Sequence, residues 1–345
     1  MNRPDLMNVL KRCEPAAASK APLAAFNSVF FDGVRAATYD GELAVVAACD
    51  FELAGGVEFK PLLVWLSGCK GATVSASVAD EVVTFVCGRA KLRLPLLDQS
   101  LMVFTPPTAK GVTVRHEDLD ACLRQCARTM NADDVDGKLS GVTVSSSGGS
   151  VEMFSTNMHS LSAVKMSGCD CDDGSTVLPA RFVKSVLSTR TPTSAEQALV
   201  FGDSFAYFCQ DHADLFSRTF AGSDVDAYRG VIKESLDRIE HDKHTAFGVD
   251  INHALTSVAN VSKTVGEDQC KLTVSDNELT IQLSGGSRCV SEQSVAMDHP
   301  DIEAHFSAPK LVQASADADR VAIGDGVFAA WNDRGVSLLA GMAAE

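Results

Sequence analysis

Ser204 stands in the block Phe201-Gly202-Asp203-Ser204-Phe205, two residues after a glycine, where a serine could attack a carbonyl carbon. Such a serine needs a base within hydrogen-bond reach and a third group to orient that base. Asp301 and His305, late in the chain, are one residue too far apart for an Asp-x-x-His pair. Gly202-Asp203 lies between two apolar runs and reads better as a hairpin turn. His159 has the chemistry of a general base, but spacing identifies no Ser or Cys partner for it. Asp211-His212-Ala213-Asp214 reads as another turn. No catalytic residue is assigned.

Metal and cofactor chemistry fare no better. The chain has 11 cysteines without C-x-x-C spacing. The closest pair, Cys169 and Cys171, is flanked by Asp170, Asp172 and Asp173 in a turn-like stretch. A zinc knuckle needs four ligands at regular spacing, and no second half is visible. Reduced, mostly core cysteines in a cytosolic chain are expected, with no metal and no cofactor. No P-loop, GxGxxG or HExxH motif points to nucleotide use or metalloprotease chemistry.

Composition is that of a soluble globular protein, 46% hydrophobic and 22% charged over 345 residues. No run reaches the roughly 20 apolar residues of a membrane helix. The N-terminus has no apolar run ahead of a cleavage site, so no signal peptide is expected. The formal net charge of −15 argues against indiscriminate DNA binding, because phosphate contact needs Lys and Arg. A locally basic surface inside an acidic exterior stays compatible with that sum.

The elements that must position these residues recur. Thr176–Ser188 reads as a short strand followed by a helix opened by Pro179, with Phe182, Val183, Val186 and Leu187 at helical spacing. Val57–Gly68 and Ala304–Ser315 repeat the pattern, roughly 120 residues apart, about one domain length. The expected domains are 1–107, 108–243 and 244–345.

Each repeat reads as helix, strands, helix, strands. An amphipathic first helix carries Leu6, Val9, Leu10 and Cys13 on one side. In the second repeat His116–Met130 is the clearest helix, with apolar Leu119, Cys122, Cys126 and Met130 and acidic residues in its first turn. In the third, Asp250 is expected to cap a helix over Ile251–Val261. The fold class is therefore α+β, with three tandem units of two helices on antiparallel sheet. Units in a row leave strand edges at both ends, which head-to-tail pairing with a second copy would remove.

Several segments resemble the beta sliding clamp of bacterial replicative DNA polymerase (DNA polymerase III beta subunit), as a divergent or virus-encoded member. Thr156-Asn157-Met158-His159-Ser160-Leu161 is similar to the family's Thr-Asp-Gly-His-Arg-Leu. Asp226-Ala227-Tyr228-Arg229-Gly230-Val231-Ile232 is similar to its Pro-Asp-Tyr-Arg-Arg-Val-Leu, and VLPARFVKSVL and CKLTVSDNELTIQL fit its strand–helix and strand-pair segments. The ending GVSLLAGMAAE stands where the family ends in Val-Met-Pro-Met-Arg-Leu. The order and spacing of these segments cover essentially the whole chain.

The resemblance implies a homodimeric ring, three clamp-fold domains per chain, around duplex DNA held without sequence preference. Such a processivity factor catalyses nothing and tethers the replicative polymerase, the clamp loader and other replication factors through short linear peptides. It implies a cytoplasmic, nucleoid-associated location. The implied DNA-facing residues are Lys11, Arg12, Lys70, Arg124, Arg128, Lys184, Arg190, Lys263 and Lys310. The implied peptide cleft is Leu139, Thr156, Met158, His159, Ser160, Leu161, Val231, Leu338, Ala340, Gly341 and Met342. The implied dimer edge is Leu92 and Leu94 against Val261 and Ser262. Met158 and Ser160 replace the family's Gly and Arg, Gly341 its Pro, and Ser262 an apolar residue, so a reshaped cleft and a weakened ring closure are expected.

Two other readings remain open. One is a clamp-fold scaffold or decoy that does not encircle DNA, favoured by the sparse basic residues. The other is a serine esterase built on Phe201–Phe205, which ester hydrolysis would reveal.

Overall fold

A computed structural model describes residues 1–18, 20–102, 104–105, 111–131, 140–169, 171–189, 198–202, 204–210, 213–220, 224–239, 245–285, 288–324 and 326–342. The described helices are α1 (Arg3–Cys13), α2 (Phe59–Gly68), α3 (Leu119–Thr129), α4 (Ala180–Thr189), α5 (Val225–Asp237), α6 (Val249–Val265) and α7 (Ala308–Ser315). The chain divides into two compact units, residues 1–115 with 184–220, and residues 116–183 with 221–345.

In the first unit an antiparallel sheet runs in the order Ala54–Glu58, Ser28–Asp32, Arg35–Tyr39, Leu43–Ala48, Ala213–Arg218, Phe205–Gln210, Ala198–Phe201, Val112–Val114. Asp32 Oδ1 accepts from the Val34 and Arg35 N–H groups and so fixes the turn at Asp32-Gly33. The apolar side of α1 is buried as its spacing requires: Leu6, Val9, Leu10 and Cys13 are all in the core. Thr38 Oγ1 donates to the Cys13 carbonyl at 2.7 Å, a buried bond that ties the helix end to the sheet. The smaller sheet is a meander of Ser75–Ala79, Val82–Cys87 and Ala90–Pro95.

In the second unit the order is Gly174–Pro179, Gly141–Ser147, Ser150–Thr156, Ser160–Ser167, Gly335–Ala340, Val327–Trp331, Arg320–Gly324, Thr245–Ala246, again antiparallel. A second sheet runs Arg288–Ala296, Glu278–Gly285, Gln269–Ser275, Ile302–Ser307. The join between Ser160–Ser167 and Gly335–Ala340 places Leu161 opposite Leu338. Gly335 permits it, since a Cβ there would collide with the Ala163 carbonyl oxygen.

Two local expectations need correction. Asp250 lies inside the first turn of α6, whose cap is Gly248; an acidic residue there suits the helix dipole without capping. Pro179 is the last residue of its strand, paired with Gly141, and α4 starts at Ala180. Helix α5 was not anticipated. Its cap is Asp224, whose Oδ1 accepts from the Ala227 N–H at 3.1 Å. Its apolar residues Val225, Tyr228, Ile232 and Leu236 follow a helical stripe, but charge and a glycine interrupt it, and none of its residues is fully buried.

Candidate partner-binding cleft

The turn between strands Ser150–Thr156 and Ser160–Ser167 is built by its own side chains. Thr156 Oγ1 accepts from the Met158 N–H at 3.1 Å and donates to the Ser160 carbonyl at 2.9 Å. Asn157 Oδ1 accepts from the N–H groups of His159 and Ser160 and from the Ser160 hydroxyl. Asn and Thr favour such local bonds. Met158 is left at φ +73°, a left-handed conformation in which an L side chain is strained. The Met158 side chain is 72% exposed. From the last strand, the Ala340 N–H donates to the His159 carbonyl at 2.8 Å.

Helix α5 lies over this sheet. Tyr228 stacks on Phe154 with ring centroids 5.5 Å apart, and burial raises its phenol pKa. Arg229 pairs with Glu152 and with Asp226, which holds its guanidinium more firmly protonated. Ile232 and Leu236 pack on a small core of Leu161, Ala329, Val336 and Leu338.

These elements enclose a pocket of 130 Å³. Of the expected cleft residues, it gathers Thr156, Met158, His159, Ser160, Leu161, Val231, Leu338 and Ala340. Leu161, Ser160 and Leu338 are buried, while Met158, His159, Val231 and Ala340 are exposed. Gly341 and Met342 do not line it. The Gly341 N–H donates to the Gly326 carbonyl, a bond that the family's proline could not make, and the Met342 N–H donates to the His305 carbonyl. Leu139 lies outside the described residues. Ser235, Arg238, Gly326 and Val327 also line the pocket and were not anticipated. Ser235 and Arg238 stand four and seven residues after Val231, a spacing that carries meaning only on a helix.

The basic residues fall in separate places. Lys11 and Arg12, in the last turn of α1, share a concavity of 580 Å³ with Ser188 and Thr189 at the end of α4. Lys70, Lys184 and Lys263 are exposed, and Lys310 is half-buried in the first turn of α7. Arg124 pairs with Asp120 on its own helix at 2.9 Å, and Arg128 with Asp317 at 2.6 Å. Arg190 lies outside the described residues.

At the expected dimer edge Leu92 and Val261 are half-buried, and Leu94 is buried against its own sheet. Ser262 departs from the expectation. It continues the buried stripe of Ile251, Ala254, Leu255, Val258 and Ala259, and its hydroxyl donates to Asp268 Oδ1. With no exposed surface, it offers nothing to a partner.

Chemistry at the other motifs is limited. Gly202 follows strand Ala198–Phe201, and its N–H donates to the Phe205 carbonyl, as a hairpin requires; Asp203 lies outside the described residues. Among the described residues no His, Cys, Asp and Glu group is placed to hold a metal ion, and no helix is long and apolar enough to cross a membrane. The described cysteines are free thiols.

No family model and no curated protein matches the chain. Solved structures do. A DNA polymerase beta subunit from Streptococcus pyogenes aligns over 100% of this chain and 99% of its own, with a TM-score of 0.83 at 15% identity. The DNA polymerase sliding clamp of Bacillus subtilis aligns over 100% and 98%, with a TM-score of 0.84 at 15% identity. A Helicobacter pylori beta clamp bound to a DNA ligase peptide aligns over 99% of both chains, with a TM-score of 0.83 at 13% identity. The chain therefore has the fold of bacterial beta clamps along its whole length, with helices set on antiparallel sheets.

Proposed function

We propose that this chain is a divergent DNA sliding clamp. Two copies close head to tail into a ring around duplex DNA and tether a replicative polymerase and its loader by short peptides. The observation that carries this reading is the pocket under the Thr156–Leu161 turn. It lies on a fold shared end to end with beta clamps, one of which is solved with a DNA ligase peptide. Its buried Leu161 and Leu338 offer an apolar floor, and Met158 and Val231 an apolar rim, which suits the anchor residue of a linear peptide.

The reading divides the chain into clamp domains at 1–107, 108–243 and 244–345. The strand-to-helix steps into α2, α4 and α7 support it, one in each domain. Leu92 and Leu94 belong to a strand at the edge of its sheet and Val261 to α6, and the reading assigns them to the dimer contact. Lys11, Arg12, Lys70, Lys184, Lys263 and Lys310 supply loose phosphate contacts that let a ring slide. Arg124 and Arg128 contribute less, because each already faces a carboxylate. No step is catalysed, no cofactor is used, and the protein works in the cytoplasm on the nucleoid.

The buried Ser262 and the −15 net charge favour one second reading, a clamp-fold scaffold that does not encircle DNA. Retention on circular duplex DNA separates the two. A clamp loaded on a nicked plasmid stays bound through a high-salt wash and is released when the plasmid is linearised. A scaffold is washed off both forms alike.

A further inference from the structure

Helix α5 has a second flank. Opposite the 130 Å³ pocket, its Arg229, Ile232, Lys233 and Leu236 side borders a groove of 670 Å³. The other wall is formed by Glu152, Phe154, Ala163 and Lys165 from one pair of strands. The far end is the turn from Trp331 to Val336. The volume is that of a ligand site, and the floor is apolar: Phe154 and Val336 are buried, and Ile232, Leu236 and Trp331 are half-buried.

Charge says what this groove would hold. In the whole chain 45 acidic residues outnumber 30 basic ones. The groove lacks that acidic excess: Lys165, Arg229, Lys233 and Arg334 line it with Glu152, Asp237 and Asp333, and Asp226 pairs with Arg229 from α5 itself. Glu152 is already engaged by Arg229 and lies 4.0 Å from Lys165. Asp333 lies 3.5 Å from Arg334. Lys233 is exposed and makes no ion pair among the described residues. An anionic partner would thus meet exposed Lys233 and a rim without the acidic excess of the whole chain.

We propose that this groove is a second peptide-docking site, distinct from the pocket under the Thr156–Leu161 turn. Its occupant is a short acidic segment of a partner protein with one bulky apolar anchor. The anchor lies over Phe154, Leu236 and Trp331, and its flanking carboxylates meet Lys233 and Lys165. With one site on each flank, α5 would let two partners, or two motifs of one partner, engage the same chain together.

The test uses the full chain with Trp65→Phe, so that Trp331 is the one remaining tryptophan. The probes are the synthetic peptide Asp-Glu-Leu-Phe-Glu-Asp and its counterpart with every acidic residue replaced by Lys. The acidic peptide is expected to shift Trp331 emission saturably, and the basic one not at all. Lys233→Glu, on an exposed side chain, is expected to weaken the acidic peptide by about tenfold or more, while Val231→Asp in the other pocket leaves it unchanged. Equal binding of both peptides, no saturable shift, or sensitivity to Val231→Asp without sensitivity to Lys233→Glu would each overturn the proposal.

Discussion

Gln125 Nε2 donates to Ser337 Oγ at 3.3 Å across 212 residues of sequence. Ser337 also shares a 3.0 Å bond with Ser162, and Gln125 Oε1 accepts from Asn332 Nδ2 at 3.0 Å. Gln125, Ser162 and Ser337 are buried. The network fastens α3 beneath the strand join whose Leu161 and Leu338 floor the candidate cleft. Buried polar groups in such a network leave costly orphans when one member is removed. Gln125→Met is expected to destabilise the chain by about 1–3 kcal/mol in urea unfolding. A loss indistinguishable from zero would mean that the network is idle.

Met158 at φ +73° sets two demands against each other. Glycine relieves left-handed strain of roughly 1–2 kcal/mol, offset by a backbone-entropy cost of about 0.5–1 kcal/mol. Met158→Gly is therefore expected to keep or slightly raise the unfolding midpoint, while Met158→Val lowers it. Both variants are expected to bind a cleft peptide more weakly, because the long exposed apolar side chain is removed in one and shortened in the other. Unweakened binding by both would remove Met158 from the cleft.

Val231 is 50% exposed, so Val231→Asp should leave stability within about 0.5 kcal/mol. Placing a charge on the apolar rim should weaken a linear clamp-binding peptide by about tenfold. Fluorescence anisotropy with a labelled peptide reads the change, and unaltered affinity would rule out this pocket as the docking site.

His299 Nε2 accepts from the buried Ile323 N–H at 3.1 Å, and its Nδ1 lies 3.0 Å from the Pro300 carbonyl. His299→Ala orphans that N–H and should cost about 1–3 kcal/mol. His299→Leu should cost no less, since the loss is of an acceptor and not of volume. Recovery of full stability with Leu would contradict the assignment.

Burial pushes the Cys13, Cys122 and Cys270 thiols up to about 12 and the Cys49 thiol up to about 11, from an ordinary value of 9.0. Below pH 9 the thiols are neutral in both states, and stability does not depend on them. As pH rises past 9, the unfolded chain loses thiol protons first and is favoured. Each fully buried thiol then removes about 1.4 kcal/mol per pH unit until its folded pKa is reached. The urea midpoint should hold near pH 8 and fall steeply by pH 10, and a flat profile would mean that the thiols are open to solvent.

Much of the fold was legible because its signals are local. The stripe Leu6, Val9, Leu10, Cys13 gave α1, and the stripe Leu119, Cys122, Cys126 gave α3. Helix α5 escaped because its face is shallow: Arg229 and Gly230 interrupt Tyr228 and Ile232, and no residue is buried deeply enough to mark a core stripe. With it went Ser235 and Arg238 in the cleft. Ser262 was misplaced for the opposite reason, since a serine within α6 gives no hint that it faces the core. The pairing of Leu161 with Leu338 spans much of the chain, and no local pattern encodes such a register.

Ring closure is the claim on which clamping depends, and solution mass tests it most directly. Light scattering over a wide range of concentration should give twice the chain mass of 36.5 kDa, held on dilution because a closed pair leaves no free end. A mass of one chain at every concentration would contradict a self-closing ring and leave the scaffold reading in its place.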